Sequence, residues 1–205
     1  MPTLNADKEK TAARALRRAR ATLLLCCGLA LAGCNSAPLA SYDLDPAPVP
    51  AMNARAIRGA LVIPEPRADD PYDTDRIIVR SEPNQLSLLS DAQWSDRLTS
   101  MVQSRLIATF QNAHFLKSVG RPGDPGDYEL IIDIRRFEID ATSDLARVEL
   151  AARIIGGKSG KGVAGKIFNS TAPAPTTANG AAAAALDKAL ADAMRAIVGW
   201  TAKQI

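Results

Sequence analysis

The residues with the most reactive side chains are few and cluster near one end of the chain. All three cysteines, Cys26, Cys27 and Cys34, lie within the first 34 of 205 residues, and His114 is the sole histidine. A structural zinc site needs about four Cys or His ligands, and a Ser-His-Asp triad needs a positioned histidine. The sequence therefore argues against a His/Cys metal site and a His-dependent triad, and we expect no catalytic residue, metal or cofactor.

Cys34 ends a segment that is typical of an exported, lipid-modified N-terminus. Twelve uncharged positions, 21–32, follow a basic stretch; this length suits a signal peptide and is short of the roughly 18–20 residues of a membrane-spanning helix. The sequence Leu31-Ala32-Gly33-Cys34 resembles a bacterial lipobox, in which cleavage between Gly33 and Cys34 leaves a thiol that takes a diacylglycerol thioether. Because several acyl chains anchor a protein stably, we predict a signal peptide over 1–33 and lipidation at Cys34.

Asn35 follows the predicted lipidated cysteine and bears on the membrane that the protein occupies. In the enteric sorting rule an aspartate at this position retains a lipoprotein in the inner membrane, so Asn35 favours the outer membrane, facing the periplasm. The alternative is an uncleaved transmembrane anchor. It would place Asn35, Ser36 and Pro38 in hydrocarbon, and Pro38 would interrupt the helix.

The net charge of the chain resides mainly in the predicted signal peptide. Lysine and arginine number 25 against 22 acidic residues, a net charge of +3. Residues 1–33 hold six bases and two acids, which leaves a net charge of −1 for residues 34–205. A near-neutral mature chain does not favour nucleic-acid binding. Residues 34–58, rich in alanine and proline, predict a flexible tether, and residues 59–205 predict the folded domain.

Several polar segments have a functional and a simpler interpretation. Gly156–Gly162 lacks the spacing of a phosphate-binding loop and precedes a predicted strand, which favours a hairpin turn. Arg135 with Arg136, and Lys158 with Lys161, are interpreted as surface charge. Four aspartates in a loop interrupted by proline favour a solvated loop over a calcium site; they are Asp69, Asp70, Asp73 and Asp75.

Trp94 and Trp200 both fall on predicted helix faces. Core packing explains both, and the alternative keeps one of them at a protein interface, where tryptophan is enriched. His114 follows the first predicted helix, and a role at the helix end is favoured over that of a general base.

Hydrophobic periodicity predicts two long helices and about six strands. After the capping-box sequence Ser90-Asp-Ala-Gln93, apolar residues recur every three or four positions from Trp94 to Phe110. A second helix is predicted from Gly180 to about 202, with Asn179 as its cap. Six strands are predicted near 60–63, 76–81, 85–89, 128–139, 146–154 and 163–170, with two further short segments near 42–44 and 115–119 as candidate strands. A change of phase predicts a bend at Arg135-Arg136. The predicted fold is α/β, one domain with a mixed sheet packed by two long helices.

The order of these segments resembles the ABC-type transport auxiliary lipoprotein family. The resemblance covers about residues 42–203. It is carried by the lipobox and by an ordered set of short motifs: Tyr42-Asp-Leu44, Leu61–Pro64, Tyr72-Asp-Thr-Asp-Arg-Ile-Ile-Val79, Pro83-Asn-Gln-Leu86, Ala92-Gln-Trp94, Asp127-Tyr-Glu-Leu130, Phe137-Glu138, Val148-Glu-Leu150 and an alanine-rich helix with Trp200.

This resemblance implies a non-enzymatic component of the cell envelope. Such lipoproteins are similar in role to outer-membrane docking partners of MCE (mammalian cell entry) lipid transport systems, which pair an ATPase and a permease with an MCE protein that spans the periplasm. The implied contacts are with that MCE protein or with a second copy of the chain. Two alternatives stay open: a monomeric periplasmic lipoprotein that holds a hydrophobic ligand in an enclosed pocket, and a periplasmic hydrolase.

Overall fold

A computed structural model describes residues 38–51, 58–174 and 178–205. The predicted signal peptide, its cleavage site and Cys34 lie outside these residues. In the described part, nine strands form one sheet with two long helices and a short 3₁₀ helix, Asp70–Tyr72. The strands are β1 Ala40–Tyr42, β2 Arg58–Val62, β3 Arg67–Ala68, β4 Arg76–Glu82, β5 Gln85–Trp94, β6 Leu116–Gly120, β7 Tyr128–Asp140, β8 Leu145–Gly156 and β9 Gly162–Pro173. The helices are α1 Leu98–Ala113 and α2 Asn179–Gln204.

The long strand β7 organises the sheet. On one side it pairs antiparallel with β8, which pairs antiparallel with β9. On its other side β7 pairs in parallel with three strands in turn along its length, first β2, then β3, then β4. β4 continues antiparallel to β5, which pairs in parallel with β1, and β2 pairs in parallel with β6. The sheet is therefore mixed.

The apolar core lies on the face of the sheet that packs on the helices. Alternate residues of β7 and β8, such as Ile132 and Leu150, are buried there, because successive side chains of a strand point to opposite faces. Phe110 of α1 and Leu190 of α2 are fully buried in the same cluster. The mixed α/β fold with two helices is confirmed. The strands outnumber the predicted ones, since the two-residue strand β3 shows no periodicity that a sequence pattern can detect.

The bend predicted at Arg135-Arg136 is confirmed. The register between β7 and β8 shifts between Ile134 and Arg136, where one extra residue of β7 has no partner. This bulge returns the apolar side chains to the helix-facing side, so that Phe137 and Ile139 continue the row begun by Ile134.

The predicted start of the first helix is wrong. β5 extends through the expected capping box to Trp94, and α1 begins at Leu98 with Arg97 at the N-cap position. Trp94 lies in the core as a strand residue, edge-on to Phe137 at 5.9 Å. Trp94 lies four residues before Leu98, which is also the spacing of a helical repeat, and the prediction therefore placed it in the helix. The second helix likewise begins at Asn179, with Ala178 at the N-cap position.

The segment predicted as a tether is in large part folded onto the domain. The compact unit begins at Leu39, and residues 39–51, which we term the N-terminal arm, lie against α1, α2 and β5. Leu44 is 0% exposed, because it enters the core. The backbone N–H of Asp45 donates to the Asp187 carboxylate at 2.8 Å, and that of Ala47 donates to Thr109 Oγ1 at 3.0 Å. The proline-rich composition concealed this docking.

Candidate functional site

A buried ion cluster lies on the sheet face opposite the helices. The Glu138 carboxylate of β7 is fully buried and accepts hydrogen bonds from Arg80 Nε at 2.7 Å and Arg80 Nη2 at 2.9 Å. It also accepts one from the Tyr72 hydroxyl at 2.6 Å. Tyr72 belongs to the 3₁₀ helix, so this bond holds the 67–75 segment across the sheet. Sixty-six residues separate Tyr72 from Glu138, and no spacing rule finds such a pair from sequence.

The electrostatics of this cluster favour a fixed charge state. Burial, and then the hydrogen bond to Glu138, raise the pKa of Tyr72 to about 12. The hydrogen bonds to Glu138 raise the pKa of the Arg80 guanidinium above its ordinary value. At neutral pH Tyr72 is therefore a neutral donor and Arg80 a permanent cation. Neither Tyr72 nor Arg80 is therefore poised to exchange a proton near neutral pH.

A second ion cluster closes the turn between β7 and β8. Asp140 accepts from the Thr142 hydroxyl at 2.6 Å, from the Thr142 backbone N–H at 3.0 Å and from Arg147 Nε at 2.8 Å. These hydrogen bonds, that of Thr142 first, outweigh the effect of burial and lower the pKa of Asp140 to about 2.

Asp140 is expected to make the stability of the domain depend on pH in the acidic range. Because its pKa is lower in the folded than in the unfolded chain, it contributes stability above about pH 4 that is lost as pH falls through about 2. Asp140→Asn should cost about 1–2 kcal/mol at pH 7, a difference that shrinks between about pH 5 and pH 2. Urea unfolding at a series of pH values measures it.

Asp144→Asn is the matched control for this measurement. Asp144 is an exposed carboxylate in the same turn with a φ of 52°, a conformation that asparagine tolerates. We expect its substitution to leave the pH dependence unchanged. A constant difference between Asp140→Asn and the unmodified chain at every pH would contradict the assignment.

The two tryptophans occupy different environments. Trp94 is buried in the core, as the favoured interpretation had it. Trp200 of α2 is half-buried and lies edge-on to Phe168 of β9 at 5.6 Å. Of the two, Trp200 is therefore the one that an interface can use. Cys34 and Gly33 lie outside the described residues, so lipidation and cleavage stay predictions.

The other polar motifs have structural roles. His114 is exposed and ends α1 in the left-handed conformation, with a φ of 55°. It is not in a cleft, where a general base would have to be. Gly156–Gly162 closes the β8–β9 hairpin through a bond from Gly156 N–H to the Lys161 carbonyl at 2.9 Å. In the acidic loop, both Asp73 oxygens accept from Arg97, and the described residues contain no group of three metal-ligating side chains suited to an ion.

Large apolar side chains are exposed at two places on the molecule. The first, which we term the hairpin patch, consists of Leu86 (37% exposed) and Leu88 (51%) on β5. The second, the edge-strand patch, consists of Val163 (45%) and Ile167 (48%) on β9. Leu86 and Leu88 are two residues apart in a regular part of β5, so both project from the same face of that strand. On β9 the register with β8 shifts between Ile154 and Ile155, and Val163 has no partner there. The hairpin patch could not be predicted from the sequence. Leu88 and Leu89 are adjacent apolar residues, and the sequence does not tell which of the two is buried.

β9 is also an edge of the sheet. It is 12 residues long, and among the described strands it pairs with β8 alone. The N–H and C=O groups on its outer side are therefore directed away from the sheet. Such an edge is a template for pairing with another strand. An exposed apolar pair beside an open edge is a surface suited to binding another polypeptide.

The alternative of a ligand-holding lipoprotein requires an enclosed apolar pocket. Two surface grooves bear on it. One, of about 550 Å³, lies beside β6 and includes Lys117, Asp124 and Lys158 in its lining. The other, of about 590 Å³, includes Arg67, Asp133 and Arg135. Both are open to solvent and both have charged side chains in their lining, so neither is the enclosed apolar pocket that this alternative requires.

Together these features define a class of protein: a two-layer α/β domain with exposed apolar patches, in which the buried carboxylates Glu138 and Asp140 are engaged in ion clusters. In the described ranges no helix is both long and apolar enough to span a bilayer. Residues 42–198 match the family described as the ABC-type transport auxiliary lipoprotein component. The chain belongs to this family, whose description is that of a lipoprotein component auxiliary to ABC-type transport.

Individual relatives agree with this assignment. An uncharacterized protein of Bradyrhizobium diazoefficiens is 36% identical over 168 residues, which cover 78% of the chain and 44% of that protein. The chain thus spans less than half the length of this relative. A crystal structure of a Xanthomonas campestris protein shares 28% identity with a TM-score of 0.73, covering 80% of the chain and 96% of that structure. A second solved structure, of an uncharacterized protein, is 13% identical and has a TM-score of 0.63. The match covers 80% of the chain and 99% of that structure, and it shows the fold alone.

Proposed function

We propose that this chain is a non-enzymatic lipoprotein of the outer membrane that docks the MCE protein of a lipid transport system. That MCE protein would span the periplasm and work with a permease and an ATPase, so that lipid passes between the two membranes. The family supports an auxiliary transport role. The observation that carries the docking step is the open edge of β9 beside its exposed apolar pair.

The edge of β9 offers main-chain and side-chain contacts together. A partner strand that adds to β9 gains a ladder of backbone hydrogen bonds, and Val163 and Ile167 give that pairing an apolar contact. On the helix-facing side, Trp200 packs beside Phe168 and stays partly exposed, so that a neighbour can contact it. Lys166 is the one charged residue of β9, and its ammonium lies 5.2 Å from the Phe168 ring. Few charges would therefore be desolvated on binding.

The membrane anchor in this proposal is the acylated Cys34. It is supported by the lipobox Leu31–Cys34 and by the family, whose description is that of a lipoprotein. Asn35, at the sorting position, supports the outer membrane. An anchored chain needs no membrane-spanning helix, because several acyl chains hold it to one leaflet.

Ile167→Lys is expected to weaken binding to the MCE protein encoded in the same operon at least tenfold. The substitution places an ammonium where the proposal requires an apolar contact, and tenfold corresponds to about 1.4 kcal/mol. Co-purification and a titration by biolayer interferometry with both proteins folded measure the change. Light scattering on the same variant reports whether β9 instead takes a second copy of the chain.

Leu88→Lys is the matched control, because it makes the same kind of change at a side chain of similar exposure on the hairpin patch. It is expected to leave MCE binding unchanged. Equal loss in both variants, or failure of the unmodified folded chain to bind the MCE protein at all, would count against docking through β9.

A further inference from the structure

The β4–β5 hairpin is an exposed projection that carries apolar side chains. Residues 81–88, from the end of β4 into β5, are all exposed. The hairpin patch lies within this stretch, where Leu86 pairs with Arg80 and Leu88 with Ile78 on the face opposite the helices. Exposure of two leucines at a hairpin has an energetic cost in water, which a suitable contact removes.

The N-terminal arm enters the domain beside this hairpin. β1 runs parallel to β5, with Ala40 opposite Ala92. The chain therefore enters β1 at the end of the sheet where β5 begins, which is the hairpin end. Cys34 precedes Ala40 by six residues, a span of at most about 22 Å. Leu86 precedes Ala92 by the same number of residues along β5, about 20 Å. The hairpin patch is therefore within reach of a group attached to Cys34.

The two apolar patches lie toward opposite ends of the sheet. Leu86 pairs with Arg80, which pairs with Asp140 at the end of β7. Val163 lies next to the β8–β9 turn, where Gly156 pairs with Tyr128 at the start of β7. The twelve residue-to-residue steps from Tyr128 to Asp140 span about 40 Å along β7. A leaflet that holds Cys34 is thus within reach at the hairpin end and far from Val163.

The charges at the hairpin favour apolar contact over attraction to anionic headgroups. Residues 81–91 contain no lysine or arginine, and their two charged side chains are Glu82 and Asp91. Two guanidiniums approach the hairpin, and both are engaged: that of Arg80 by Glu138 and by the Pro83 carbonyl at 2.9 Å, and that of Arg76 by the Leu89 carbonyl at 3.3 Å. Binding that depends on anionic lipid requires basic side chains at the surface.

We infer that the hairpin patch seats in the interface of the same leaflet that holds the acyl chains of Cys34. This inference rests on the lipid anchor of the proposed function. Leu86 and Leu88 would enter the headgroup and upper acyl region, and the domain would stand with the β8–β9 turn away from the membrane. The anchor and the patch together would give two points of attachment, which fixes the orientation of the domain.

The test uses the lipidated protein purified from membranes, with Leu88→Cys carrying an environment-sensitive NBD fluorophore. Acylation blocks Cys34, and Cys26 and Cys27 leave with the signal peptide, so the introduced thiol is labelled alone. The protein is reconstituted in phosphatidylethanolamine vesicles, with and without phosphatidylglycerol, containing lipid with a doxyl quencher at acyl carbon 5. We expect a blue-shifted emission and at least twofold quenching at position 88, similar in both vesicle types.

Val163→Cys is the matched control, an exposed strand position of similar exposure toward the other end of the sheet. We expect its NBD emission to stay that of an aqueous probe. Mass spectrometry of the Cys34 peptide in the same samples reads the anchor separately. Acylated protein without quenching at 88, or with equal quenching at 163, overturns the seating of the hairpin while the anchor stands. An unacylated Cys34 overturns the anchor and this inference with it.

Discussion

Replacing Glu138 with glutamine is expected to lower the free energy of unfolding by about 2–4 kcal/mol. Glu138 is 0% exposed and accepts three hydrogen bonds, two of them from Arg80. Glutamine keeps the shape of the side chain and removes its charge. The Arg80 guanidinium, whose side chain is 19% exposed, would then remain as a cation with little solvent and no compensating carboxylate. Urea unfolding at pH 7, followed by tryptophan fluorescence, measures the loss.

Glu149→Gln is the control for this prediction. Glu149 lies on the neighbouring strand β8 and pairs with Arg135 at 3.3 Å, but both side chains are open to water. Solvent-exposed ion pairs contribute about 0–1 kcal/mol, so we expect a loss at or below that level. Similar losses in the two variants would show that Glu138 behaves as a solvated surface charge and that the cluster does not hold the 67–75 segment.

Leu44→Ala is expected to destabilise the domain by about 2–4 kcal/mol, because it leaves a cavity in the core. Leu44 belongs to the N-terminal arm, in a stretch whose composition predicts a flexible tether. If this stretch were a tether, the substitution would have no effect on stability. We also expect faster proteolysis within residues 39–51, since the arm loses its one large buried side chain. Urea unfolding and limited elastase digestion measure the two effects; elastase cleaves after small residues such as alanine, which the arm contains.

Val49→Ala provides the comparison within the same arm. Val49 is half-buried at the edge of the core, so its truncation removes less buried surface and we expect a loss below about 1 kcal/mol. An equal effect of Leu44→Ala and Val49→Ala, with unchanged proteolysis in both, would contradict the docking of the arm.

Elements with regular patterns were predictable from the sequence. The meander β7–β8–β9 alternates with a period of two over long stretches, and even its bulge at Arg135-Arg136 is visible as a change of phase. The body of α1 follows from apolar positions at spacings of three and four. The start of α1 could not be predicted in this way. Trp94 lies four residues before Leu98, as in a helix, but it is the last residue of strand β5 and is buried in the core.

Features that depend on distant contacts were not predictable. The partners of Glu138 are separated from it by 58 and 66 residues, and the burial of Leu44 depends on helices far along the chain. The lipobox at Leu31–Cys34 is recognisable because all of its information is local. The exposed patches depend on distant contacts instead. The pairing of β5 with β4 decides that Leu88 is exposed and Leu89 is buried.

The docking of the N-terminal arm limits how far the domain can rise from a membrane. With Cys34 acylated, the linker between lipid and fold would shrink from the 24 residues of a tether ending at 58 to the four residues from Asn35 to Pro38. The domain would then stay within a few nanometres of the leaflet. It could not move far into the periplasm. A partner protein would have to span the remaining distance to the other membrane.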